Sequence, residues 1–257
     1  MRARFVGLSA AAWMIALAGS GASFGQDVLT YALSDWAYYN NTTWLRLERG
    51  ELAKAEQSVR LAIQTIEPYQ KTHRRLLARS YRDLSWVLLL EKRPDQAEPL
   101  AKWSLEVYDH DERTSSESLF QSLYTLALIE RDLKKTKDAL PLLARALKLQ
   151  ESTVGPAHPA IADTLDEMAG LYESNGEYQL AEPLYRREVK IRERELPERN
   201  LHLARAAEHY ASVLQKLDRG PEAKVFLARA AAIKQAASDD GVLEKPQRTP
   251  PKLAAKR

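Results

Sequence analysis

The chain has 257 residues, 45% hydrophobic and 28% charged, which is enough apolar side chain for a real core and argues against a disordered polymer. Its 38 Lys and Arg nearly balance its 35 Asp and Glu, so composition gives no case for nucleic-acid binding, which needs a concentrated basic face. It has no cysteine, which excludes disulfides, thiol catalysis and thiolate metal sites. Only 10 Gly and 12 Pro are present. Ala, Leu, Glu, Arg and Lys dominate; these are strong helix formers, and an all-α chain is expected.

The first 25 residues stand apart. Met1-Arg2-Ala3-Arg4 is basic, Phe5 to Ala18 is uncharged and mostly apolar, and small residues follow from Gly19 to Gly25. This is the order of a secretory signal peptide. Cleavage after Gly25 places Ser23 and Gly25 at the −3 and −1 positions; cleavage after Ala22 is the alternative. The apolar run of 14 residues is short for a spanning helix, which needs roughly 20. The expected destination is therefore the periplasm or the outside of a bacterial-type cell. Membrane contact is expected only if the segment stays uncleaved as an anchor.

From Ser34 onward a unit recurs every 42 residues. Its best copy begins at Gly155-Pro156-Ala157-His158-Pro159. Ile161, Leu165, Met168, Ala169, Leu171 and Tyr172 follow, then a turn at Asn175-Gly176, then Tyr178, Ala181, Leu184, Tyr185, Val189 and Ile191. Apolar residues at spacings of three and four in two blocks predict two amphipathic helices joined by a tight turn. Gly176 suits the left-handed position that ends the first helix. Stepping by 42 places Ala at 55, 97, 139, 181 and 223, and the turn at Gly50, Lys92, Lys134, Gly176 and Asp218. A second small position reads Ser85, Ala127, Ala169 and Ala211. Five helix pairs are expected at 34–75, 76–117, 118–159, 160–201 and 202–236. The pattern stops after Ala236, and 237–257, rich in Pro and basic residues, is expected to be a disordered tail.

Leu171-Tyr172, Gly176, Tyr178, Ala181-Glu182 and Leu184-Tyr185 resemble the signature of tetratricopeptide repeats (TPRs). The period exceeds the usual TPR period of about 34 and is similar to that of kinesin-light-chain-like TPRs and their bacterial relatives. Only the fourth unit is close to that pattern. The first is the most decayed, with Thr42 and Thr43 where Leu and Ala are expected. The resemblance implies a right-handed superhelical α-solenoid whose first helices line a concave groove for extended peptides or short helices.

Counting from each turn carries the groove positions over. They are Asn40, Trp44 and Leu47; Arg79, Arg82, Trp86 and Leu89; Gln121, Tyr124, Leu128 and Arg131; Asp163, Asp166, Gly170 and Glu173; and Arg205, Glu208, Ser212 and Gln215. Aromatic and Arg side chains are frequent binding anchors. Asn40, Trp44, Arg79, Arg82, Trp86, Gln121, Tyr124 and Arg131 are therefore the expected peptide-binding residues, suited to a ligand with an acidic or C-terminal carboxylate end. The other reading is that Trp44, Trp86 and Leu89 pack between neighbouring units.

No phosphate-cradling loop or nucleophile elbow occurs, and no His pair has the spacing of a zinc helix. No metal, cofactor or catalytic site is expected. The leading expectation is an exported scaffold that binds a protein or peptide. One alternative is an envelope-anchored element that assembles through its ends. A second is a hydrolase using His202, Glu208 and His209.

Overall fold

The computed structural model describes residues 22–194 and 201–239. Those residues form ten α-helices and two short 3-10 turns, with no strand among them. The all-α expectation holds. The chain divides into two compact units, the first ending at Arg113 and the second starting at Thr114. In the first unit the helices are α1 (Ala22–Glu48), α2 (Leu52–Ile66), α3 (Arg74–Leu90) and α4 (Pro94–Asp109). In the second they are α5 (Ser116–Asp132), α6 (Thr136–Val154), α7 (Ala162–Ser174), α8 (Tyr178–Arg192), α9 (Leu201–Lys216) and α10 (Gly220–Asp239).

Each helix pair closes with the same turn. Gly50, Lys92, Lys134, Gly176 and Asp218 all have positive φ, between 58° and 78°. In each, the turn residue's N–H donates to the carbonyl three residues back, and the next N–H donates five back. Gly176 donates to Glu173 and Glu177 to Tyr172, both at 2.9 Å; Lys134 donates to Arg131 and Lys135 to Glu130 at 2.9 and 2.8 Å. This is the Schellman arrangement, which satisfies two orphan carbonyls at the helix end. Three of the five positions carry a side chain, at a cost of roughly 1–2 kcal/mol each for the left-handed region. The sequence singled out Gly176 for this conformation; the backbone adopts it at all five.

The period also governs packing. Ala55, Ala97, Ala139, Ala181 and Ala223 are fully buried, as are Ser85, Ala127, Ala169 and Ala211. Thr43 stands in the same column, fully buried, its hydroxyl donating to the Tyr39 carbonyl at 2.9 Å. The decayed first unit thus keeps the close approach, because a threonine with a back-bonded hydroxyl still fits. Pro99, Pro141 and Pro183 also recur by period inside α4, α6 and α8. All three are exposed, so water can satisfy the carbonyl that each leaves unpaired.

Within the units the second helix of one pair packs on the first helix of the next: α2 on α3, α6 on α7 and α8 on α9. Trp36, Ala62, Ile66 and Leu77 form one core cluster in the first unit. In the second unit Ala169, Tyr185, Val189, Leu203, Ala207 and Tyr210 belong to another. Burying a side chain of Leu or Val size contributes about 1.5–3 kcal/mol, so such contacts hold the stack.

The expected export segment lies outside the described residues up to position 21, and α1 starts at Ala22, ahead of the Ser34 at which the repeat pattern begins. Val28 and Ala32 are buried, so this earlier stretch joins the first unit's interior. At the other end α10 continues to Asp239 with Ala237 buried one turn beyond Ile233; residues 240–257 lie outside the described part. No described helix is long and apolar enough to cross a membrane.

Candidate functional site

In the first unit the first-helix face is sealed by its own side chains. Trp36 Nε1 donates to Ser80 Oγ at 2.9 Å, and Asn40 Nδ2 donates to Asp83 Oδ2 at 3.0 Å. Asp83 is fully buried and also accepts two bonds from the Arg82 guanidinium at 3.0 and 2.7 Å. Arg79 approaches the same carboxylate at 3.9 Å and lies over the Trp36 ring. Buried polar groups need such partners, and the Asp83 carboxylate collects most of them here, although Asn40 Oδ1 and Arg79 Nε have no hydrogen-bond partner.

The eight expected peptide-binding residues therefore separate into two sets. Asn40, Arg82, Trp86 and Tyr124 are buried, held from a groove ligand by hydrogen bonds and packing. Burial drives the Tyr124 phenol well above its ordinary range, with the Glu167 charge adding to the effect. Trp44, Arg79, Gln121 and Arg131 keep part of their surface. Leu47, Leu89 and Leu128 are buried as well. Counting from the turn selects one helix face, but it cannot say whether a neighbouring side chain covers it.

The second unit leaves a cavity open. It occupies about 640 Å³ and is lined by Arg131 of α5, Lys134 in the following turn, Asp166, Glu167, Gly170 and Glu173 of α7, Tyr185 of α8 and His209 of α9, among others. Glu173 accepts from the Tyr185 hydroxyl at 2.9 Å with one oxygen and from the Ser212 hydroxyl at 2.8 Å with the other. Arg131 bonds to Glu167 and, at 3.0 and 2.8 Å, to Asp132. His209 Nδ1 lies 2.8 Å from Asp166 Oδ1, and Arg205 approaches the other Asp166 oxygen at 3.7 Å. The walls thus carry polar groups of both signs, several of them fixed by a neighbour.

The charges perturb one another in readable ways. The hydrogen bond that His209 donates to the Asp166 carboxylate raises the His209 pKa, outweighing burial. Burial pushes the Asp166 carboxyl up, but the His209 bond and the nearby cations bring it below its ordinary value. Burial dominates at Glu167, whose carboxyl stays raised despite Arg131. Behind the cavity Arg192 bridges Glu188 and Asp163, at 2.7 Å to each. Burial and the Asp166 charge push Glu188 up to about 8, with Arg192 opposing.

Gly170 is the informative wall residue. It sits inside α7, where glycine costs roughly 0.5–1 kcal/mol relative to alanine. A Cβ there would meet only the Tyr185 hydroxyl, at an ordinary 3.6 Å. Packing therefore does not require glycine at this position; its effect is to keep a cavity wall bare.

Sequence reasoning placed Arg131, Asp166, Gly170 and Glu173 on this face. It missed Lys134, because the turn was read only as a turn, and Tyr185, because only first helices were counted. Two of the three residues of the hydrolase alternative are held by other side chains. Glu208 pairs with Lys234 at 2.6 Å, His209 with Asp166, and His202 is exposed. Among the described residues no group of three or more His, Asp or Glu could hold a metal ion.

Helix pairs with a repeated left-handed turn and small residues at each crossing define the architecture. Residues 118–194 match the tetratricopeptide-repeat profile. This is a tetratricopeptide-repeat fold. Among curated proteins the chain is similar to nephrocystin-3 of Xenopus laevis, 30% identical over 151 residues that make up 59% of this chain and 11% of the relative. It is also similar to nephrocystin-3 of Mus musculus, 32% identical over 84 residues, 32% of this chain and 6% of the relative. The chain spans about a tenth or less of the length of the curated relatives it matches. Among solved structures, BtubC from P. vanneervenii superposes with a TM-score of 0.68 at 20% identity, covering 96% of this chain and 94% of that one. The nearly identical TPR-like repeats of a Podosopora anserina kinesin-light-chain structure give 0.65 at 18%, covering 77% and 94%. YrrB, described as a TPR protein with an unusual peptide-binding site, gives 0.52 at 17%, covering 80% and 91%. These likenesses show the TPR fold.

Proposed function

We propose that this TPR chain is an exported scaffold that holds another protein or a peptide and does no chemistry of its own. The observation that carries the reading is the bare Gly170 wall of a polar, pre-formed cavity on the first-helix face. A site of this size, with oriented donors and acceptors, suits a few side chains of an extended segment. The peptide-binding site described for YrrB, on the same fold, supports the idea without defining the ligand. An acidic or carboxylate end would engage Arg131 and Lys134 at one side of the cavity. A ligand's amide or cationic groups would engage Glu173 and Glu167. Trp44 and Arg79 remain accessible in the first unit for a second contact.

The test fills the cavity without touching its charges. Gly170→Leu should abolish partner capture from the organism's own envelope extract, read by mass spectrometry, while circular dichroism and thermal stability stay intact. Undiminished capture by the stable variant would overturn the site. Export is tested by N-terminal sequencing of the envelope-fraction protein, which should begin at Gln26 or Ser23. A chain recovered only from the cytoplasm, still beginning at Met1, would overturn export and leave the cavity reading standing.

A further inference from the structure

The repeat provides its own reference for exposure, because residues 42 apart occupy the same structural position. On the first helices that follow a second helix, one such position holds Ser80, Thr164 and Ala206, all fully buried. The matching residue of α1 is Tyr38, which is 65% exposed. One heptad on, Val87, Leu171 and Val213 are 0 to 3% exposed, whereas their counterpart Leu45 is 47% exposed. Tyr31, a heptad earlier, is also exposed, so α1 presents three large side chains along one stripe.

The second helices show the converse at α10. Val59, Leu143 and Tyr185 share a position and are at most 2% exposed, yet their counterpart Leu227 is 38% exposed. The next turn holds Ile63, Leu147 and Val189 in α2, α6 and α8, and Ala231, exposed, in α10. The faces that elsewhere join a second helix to the following first helix are thus uncovered at α10 and at α1.

The sizes at these two faces are exchanged relative to the interior junctions. At α1 a tyrosine replaces Ser, Thr or Ala; at α10 an alanine replaces Ile, Leu or Val. Inside the second unit, Thr164 Oγ1 donates to Gln150 Oε1 at 2.7 Å across the α6–α7 junction. By period, Thr164 corresponds to Tyr38 and Gln150 to Lys234, one helical turn from Ala231.

We infer that two copies of this chain associate head to tail, α10 of one packing on α1 of the next. The contact continues the second-helix-on-first-helix packing that the chain makes at α2–α3, α6–α7 and α8–α9. By the register of the Thr164–Gln150 contact, Tyr38 faces Lys234 and Leu45 faces Leu227 of the neighbouring copy. Such a contact is heterologous: each copy keeps one face free, so association does not stop at a symmetric dimer.

Sedimentation velocity on the full mature chain over rising concentration is the test. Wild-type protein should grow past the dimer. Tyr38→Glu and Leu227→Glu, each at an exposed site and each checked for native circular dichroism, should be monomeric alone. Mixed, they should form a one-to-one complex that grows no further, because each variant keeps the face the other has lost. A monomeric wild type overturns the inference and leaves a foreign protein, or the chain's own first 21 residues, as the cover of α1. A wild type that stops at a dimer, lost in Tyr38→Glu and retained in Leu227→Glu, also overturns it, in favour of an α1–α1 contact.

Discussion

Trp86 of α3 and Gly170 of α7 occupy the same position of the repeat, two periods apart, and do opposite things. In the first unit the indole is buried, beside a face that Asn40, Asp83 and Arg82 tie together with hydrogen bonds. In the second unit Gly170 lines a cavity together with Glu173, Tyr185, His209 and Arg131. The same repeat position thus holds a buried indole in one unit and a bare cavity wall in the other.

The largest effect should come from emptying the closed face. Trp86→Ala should destabilise the protein by about 3–5 kcal/mol, read by chemical denaturation, since truncating a buried aromatic leaves a void that the surrounding helices only partly fill. A loss well under 1 kcal/mol would mean that the indole is dispensable to the core, and that the two units differ less than their structures indicate.

The buried charges behind the open face give the next effect. Glu188 has a folded pKa raised to about 8, so between its ordinary acidic range and that value the folded state binds more protons than the unfolded state. Its contribution to stability therefore falls as pH rises through that window. Glu188→Gln should flatten this fall, measured as unfolding free energy at successive pH values. The raised His209 pKa acts in the same direction, its stabilisation lost as pH rises through the folded value, and should persist in the variant. Asp166, with a lowered pKa, works oppositely: its contribution is lost on acidification. Identical pH profiles for wild type and Glu188→Gln would remove the buried carboxylate from the account.

A smaller effect sharpens the comparison from the open side. Gly170→Ala should stabilise by about 0.5–1 kcal/mol, because the added methyl group finds only an ordinary contact and the helix gains in propensity. Destabilisation would show that glycine is needed for packing after all. Lys92→Gly or Lys134→Gly should give a gain of at most about 1 kcal/mol each by relieving the left-handed backbone, visible as a modest rise in thermal midpoint.

Much of the fold was legible in the residues. The alanine column, the five turn positions and the amphipathic spacing were enough to predict the helix pairs, because each reports on a local constraint repeated at a constant interval. The candidate site was legible only by half. Arg131, Asp166, Gly170 and Glu173 could be reached by counting, yet nothing in the spacing separated Arg82, ion-paired and buried, from Arg131, which reaches a cavity. Tyr185 belongs to the second-helix signature, and only the folded chain brings its hydroxyl to Glu173 on the first helix.

The sequence by itself determined the helix pairs, their period and the left-handed turn that ends each first helix. These follow from helix propensity, side-chain periodicity and the tolerance of one backbone conformation, all properties of a few consecutive residues. Only the tertiary structure decided which first-helix side chains are covered, that Trp86 closes its face while Gly170 opens one, and that Tyr38 and Leu227 stand uncovered. Burial is a property of neighbours brought together from distant positions in the chain, and it depends on their volumes taken jointly.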